Sequence, residues 1–198
     1  MTDAATRRRS SRRNFLMLAS LFFVPFAAAA WLYYFSAWRP AVAAHGELID
    51  PPRPLPAIAF SLPDGGVTSP EVLRGAWSLV YLASNSCAED CTKALAVLAH
   101  VRIALAKDAT RVQRVLLHSG KCCAAGFPGP GDADLLVLGA TGAEGEALLA
   151  LFPRAPYGSA SIYVVDPLGN LMMRHSASGE ARGLLKDLER LLRLSSIG

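Results

Sequence analysis

Two cysteines, Cys87 and Cys91, separated by three residues, stand in the stretch Ala76–Leu98, which reads AWSLVYLASNSCAEDCTKALAVL. An apolar run of β-branched and aromatic residues, Trp77 to Leu82, breaks at Ser84-Asn85-Ser86. The pair follows, and then an Ala/Leu-rich helical pattern takes over. A buried strand feeding a helix through a polar turn puts Cys87 at the helix start and Cys91 one turn in. Residues at i and i+4 share a helix face, so the two sulfurs can meet. Unpaired backbone N–H groups and the positive end of the helix dipole favour thiolate over thiol there. Two acidified thiols at the carboxyl end of a buried strand suit disulfide exchange, and they equally suit a soft metal such as Cu(I). An inert structural disulfide is the plainer alternative. Glu89 and Asp90, between the cysteines, read as helix-start carboxylates whose charge opposes thiol ionisation.

A third participant is sought at the carboxyl ends of the other strands, where ligands gather in open α/β sheets. His118 closes the apolar run Val112–His118, and Cys122 and Cys123 follow within a few residues. His118, or one of these cysteines, is the candidate third metal ligand or resolving thiol; a strand-capping histidine and a vicinal bridge are the alternative. His45, in a proline-rich stretch, and His100, on the helix after the cysteines, read as surface or core-edge residues. His175 ends a hairpin strand expected to lie far from the cysteine edge. Asp132 and Asp134, in a Gly-rich loop, read as solvated carboxylates. There is no second C-x-x-C for zinc, no H-E-x-x-H, no phosphate-binding Gly loop after a strand and no serine-nucleophile motif.

The elements that must position these residues follow from pattern. A strand over Gly75–Ala83 leads into a helix running to about Lys107, apolar over a wide arc and so buried on a sheet. Val112–His118, joined to the first strand by a helix, is expected parallel to it. Leu135–Leu138 is a shorter apolar run, and Gly142–Phe152 a short helix ended by Pro153. Ser161–Val165 and Leu171–Arg174 flank Asp166-Pro167-Leu168-Gly169-Asn170, a hairpin turn. The last helix, Gly179–Leu194, carries Leu184, Leu185, Leu188, Leu191 and Leu192 on one stripe, with Lys186, Asp187, Glu189 and Arg190 assigned to the opposite face. This order predicts an α/β domain, a mixed sheet flanked by helices. It is similar to the layout of the thioredoxin superfamily.

The amino-terminal quarter is different in character. Arg7, Arg8, Arg9, Arg12 and Arg13 supply 5 of the 20 basic residues and Asp3 supplies 1 of the 16 acidic ones, so the chain from Ala37 onward is balanced. The net charge of +4 therefore describes a basic tail, and the rest offers no footprint for nucleic acid. Asn14–Ser36 holds no charged residue. It exceeds the roughly 20 residues needed to cross a bilayer. The arginines before it put the amino terminus in the cytoplasm, and Trp31, Tyr33, Tyr34 and Trp38 form an aromatic belt at the far interface. A cleaved signal peptide is the alternative, because Ala27–Ala30 supplies small residues of the cleavage type. Ser11-Arg12-Arg13-Asn14-Phe15-Leu16 also resembles a twin-arginine export signal. Either route leaves the following domain outside the inner membrane, where cysteine pairs can be oxidised. The expected organisation is a cytoplasmic tail over residues 1–13, a transmembrane anchor over 14–36, a stiff Pro-rich linker over 37–56 and a periplasmic domain over 57–198. Ala57–Leu62 is expected as a short edge strand.

The C-x-x-x-C after WSLVYLA, the segment Leu138-Gly139-Ala140-Thr141-Gly142 before a helix, and the hairpin Ile162–Asn170 resemble the Sco (SenC) family. These are membrane-anchored, thioredoxin-like proteins that help assemble the copper site of cytochrome c oxidase, and the resemblance covers Pro56–Leu194 and the anchor. It implies copper as cofactor, held by Cys87 and Cys91, and an oxidase subunit or another assembly factor as partner. It also implies a ligand histidine eight residues before the hairpin aspartate, where this chain has Gly158 between Tyr157 and Ser159. His118 is then the substitute ligand to test. Copper delivery and thiol–disulfide exchange on the client both stand as the expected function. Beside them stand a non-catalytic membrane-tethered assembly factor and a general periplasmic thiol–disulfide reductase.

Overall fold

The structure, a computed structural model, describes residues 3–35, 44–83, 87, 89–120, 122, 132–153, 160–178 and 181–197. They divide into an amino-terminal unit and a domain that begins at Ala44. The first unit holds helix α1 (Asp3–Phe35). Phe15, Leu18, Phe22, Phe26 and Trp31 are all exposed on it. Among the described residues, no helix is long and apolar enough to cross a membrane. Tyr34 of the expected aromatic belt is exposed, whereas Ser36 and Trp38 lie outside the described residues.

The domain is built on one six-stranded sheet: β1 (Glu47–Pro54), β2 (Trp77–Ala83), β3 (Val112–His118), β4 (Leu135–Gly139), β5 (Ser161–Val165) and β6 (Asn170–Ser176). The strand order is β1-β6-β5-β2-β3-β4. β2, β3 and β4 run parallel to one another, and β5, β6 and β1 pair antiparallel on the other side of β2. The centre of the sheet is covered on both faces, so β2 and β5 are buried along nearly their whole length, with no in-out alternation. Helices α2 (Glu89–Ala104) and α4 (Ala181–Leu194) contribute to the core of one face with Leu79, Tyr81, Leu116, Ile162 and Val164. Helix α3 (Gly142–Ala150) contributes Leu148 to the other, with Phe60, Val80, Leu117, Leu138 and Tyr163.

Two segments depart from the sequence reading. The expected linker over 37–56 contains β1, an edge strand whose first rungs are Glu47 with Arg174 and Leu48 with Met173. Ala57–Leu62, expected as the edge strand, contributes only Ser61, which bridges Val67 and Gly139. Ser61 exchanges two backbone hydrogen bonds with Gly139, of 3.0 and 2.8 Å. A Cβ on Gly139 would overlap Ser61 Oγ and lie 3.1 Å from His118 Cε1, so only glycine allows this approach. The helix after the cysteines ends at Ala104 and passes into a 3-10 turn, Ala106–Arg111, before β3.

The β5–β6 turn forms as its residues dictate. Asp166 Oδ1 accepts the N–H groups of Leu168 (2.9 Å) and Asn170 (2.8 Å), and Gly169 adopts φ +86.

Candidate redox site

β2 ends at Ala83 and α2 begins at Glu89; the turn residues 84–86 and Ala88 lie outside the described residues. Cys87 stands just before the helix and Cys91 in its first turn. The two are disulfide-bonded, with Cα atoms 5.0 Å apart. Cys91 is 2% exposed, inside the core between α2 and the sheet. Cys87 is half-buried and packs against the same core. Of the two cysteines, Cys87 is the more open to solvent. Glu89 is paired with Lys93 at 2.6 Å, a turn away on the exposed side of α2. Burial pushes the Tyr81 phenol above its usual range, and the charge of Asp90 adds to it.

His118 sits at the carboxyl end of β3, level with Ala83 of β2 and Gly139 of β4. Its Nδ1 accepts the N–H of Gly120 at 3.0 Å, which leaves the proton of the neutral ring on Nε2. Burial holds the imidazole below its ordinary value, in the neutral form. Among the described residues, no group of three or more His, Cys, Asp or Glu is arranged to hold a metal ion. The structure thus brings Cys87 and Cys91 together and places His118 near the same sheet edge, but without assembling the three into a ligand set. Cys122 is also disulfide-bonded and packs on the α2–α4 core; Cys123 and Gly158 lie outside the described residues.

Two clusters run against the expectations from sequence. Asp132 and Asp134, expected to be solvated, both pair with Arg114, which is buried in β3 at 2% exposure. Arg102 of α2 adds a 2.7 Å bond to Asp134. Asp187, assigned to the polar face of α4, is 4% exposed. Its carboxylate meets His45, in the segment expected as a linker, and His175 of β6. A signal for it existed: Asp187 falls three residues after Leu184 and four before Leu191, within the apolar stripe.

A family model described as the transmembrane-like, thioredoxin-like, C-terminal domain matches residues 77–195. The chain belongs to that family. No curated protein matches it. Among solved structures, the apo Sco1 protein of Thermus thermophilus is 19% identical, with a TM-score of 0.54 over 75% of this chain and 96% of that one. ScoI of Bradyrhizobium japonicum, solved with copper bound, is 18% identical, with a TM-score of 0.52 over 69% and 98%. BsSco, in which a disulfide switch was identified, is 16% identical, with a TM-score of 0.52 over 75% and 100%. At these identities the likeness is one of fold: the thioredoxin-like sheet and helices of Sco proteins are those of this chain.

Proposed function

We propose that this chain is a membrane-anchored, Sco-like assembly protein of cytochrome c oxidase that acts on its client by thiol–disulfide exchange. The observation that carries the reading is the Cys87–Cys91 pair at the opening of α2, one sulfur half-buried and the other enclosed. In the reduced form, the Cys87 thiolate attacks a client disulfide, and one client sulfur departs as thiolate. The Cys91 thiolate then attacks the Cys87 sulfur and breaks the mixed disulfide. The client leaves as a dithiol with two more electrons and two protons from solvent, and this chain is left as the Cys87–Cys91 disulfide. A thiol reductant outside the inner membrane resets it. BsSco, described as a member of the Sco family of cytochrome c oxidase assembly proteins with a disulfide switch, supports this reading.

Copper delivery is the second reading, supported by the copper-bound ScoI of B. japonicum. The fit is incomplete here. The disulfide offers no thiolate, and no third donor joins the pair among the described residues.

Anchoring belongs to the same proposal. The uncharged run Asn14–Ser36, the arginines ahead of it and the exposed apolar side chains of α1 support a single-pass helix in the inner membrane, with the amino terminus cytoplasmic and the domain periplasmic. The partner is then an oxidase subunit or another assembly factor at that membrane.

Acid-quenched alkylation of the full chain in membranes tests the redox role. Both reduced and oxidised Cys87/Cys91 should be present, in proportions that move when reductant supply is cut. A pair locked as disulfide under every condition would leave the non-catalytic assembly factor.

A further inference from the structure

At the end of the sheet away from β4, one buried carboxylate gathers two backbone N–H groups and two imidazole nitrogens. Asp187 Oδ2 accepts the backbone N–H of His45 at 2.8 Å and that of Gly46 at 2.9 Å. The His45 Nδ1 lies 3.3 Å from Oδ1, and His175 Nε2 lies 3.3 Å from Oδ2. Two glycines make the approach possible. A Cβ on Gly46 would come within 2.7 Å of the His175 ring carbon Cδ2, and one on Gly183 of α4 would come within 2.9 Å of His45 Cβ. The segment leading into β1 is therefore pressed flat on the His175 imidazole and fastened to α4. Only the rungs at Glu47 and Leu48 follow before the register with β6 shifts, between Leu48 and Arg53.

We propose that His45, His175 and Asp187 form a proton-operated latch that holds residues 44–48 on α4 and β6 at neutral pH and releases them in acid. One carboxylate balances one imidazolium. A second imidazolium beside it adds uncompensated charge against a wall that includes Val97, Ile162 and Leu184. The other groups facing His175 do not absorb that charge. Met173 Sδ, 3.1 Å from Nε2, is uncharged, and Glu47 on the adjoining cavity wall is paired with Arg174. Burial holds His175 below its ordinary value; Asp187 opposes this and His45 adds to it. Release returns the ring to water, where its value is about 6.5. The released state therefore binds more protons and gains on the latched one as pH falls through that value. Cavities of about 290 and 270 Å³ border His45 and His175, so water can reach the charged ring as soon as the segment lifts.

Amide hydrogen exchange on the full chain in detergent micelles tests the latch, read at His45 and Gly46, whose N–H groups bind Asp187. Corrected for intrinsic rates, their protection should fall about tenfold between about pH 7.5 and about pH 5.5, while the amides of β2 and β3 hold theirs. His175→Gln keeps a neutral donor and should abolish most of that pH dependence. An unchanged protection in the wild type, an equal fall in His175→Gln, or a parallel fall across β2 and β3 would each overturn the latch. Should His175→Gln not fold, the wild type decides: the His175 ring titration and the loss of protection must share a midpoint, and separate midpoints refute it.

Discussion

Arg114 of β3 and Asp132 face each other at 3.0 Å, with Arg114 2% exposed and Asp134 on its other side. A buried cation stripped of its partners costs more than carboxylates that can turn to water. The double substitution Asp132→Asn, Asp134→Asn should therefore lower unfolding stability by about 3 kcal/mol, and Arg114→Met by roughly half as much. Urea unfolding midpoints at neutral pH measure both.

The same cluster sets an acid limit. The hydrogen bond from Arg114 holds the Asp134 carboxyl below its usual range, and the Arg114 and Arg102 charges act the same way. Its folded value lies below its unfolded one, so the stabilisation is complete above an unfolded value of about 3.9 and fades as pH falls through the folded one. Asp134→Asn should flatten the acid limb of the stability–pH curve below about pH 4 and leave its slope above that unchanged. Thermal melts across the acid range read the difference.

Gly139, paired with His118, leaves no room for a Cβ against the Ser61 side chain. Gly139→Ala should cost about 2 kcal/mol, since the new methyl overlaps Ser61 Oγ. Adding Ser61→Ala removes that atom and should restore most of the loss. A double-mutant cycle of melting temperatures gives the coupling directly.

The exchange chemistry separates the two cysteines. Cys91→Ser leaves Cys87 able to attack but removes the group that resolves the mixed disulfide, so a covalent adduct with the client should accumulate. Cys87→Ser should yield none. Non-reducing electrophoresis of membranes, followed by reduction and identification of the partner band, tests both.

Much of the domain was legible because its elements obey single rules. Trp77–Ala83 reads as a central strand since nothing in it must face water, and the stripe of leucines over 184–192 marks the last helix. The Cys87–Cys91 meeting is expected from their spacing, although Cys87 stands just before α2 and only Cys91 lies within it. β1 was not legible. Pro51, Pro52 and Pro54 argue against a strand, and only Ile49 of its eight residues is buried, so no alternation signals it. Its identity comes from pairing with β6, which no local pattern encodes. The same holds for Asp187 and His45, whose contact closes across 142 residues. His118 was placed at the right strand end, but a strand end does not tell which donors converge on it.

The prolines of β1 matter beyond the fold of one molecule. Among the described residues, β1 has no sheet neighbour on the flank turned away from β6, and Pro51, Pro52 and Pro54 have no amide hydrogen to offer a further strand. A second copy laid alongside would find gaps where a ladder needs rungs. Two molecules meeting at this border therefore find no continuous ladder along which to zip into fibres.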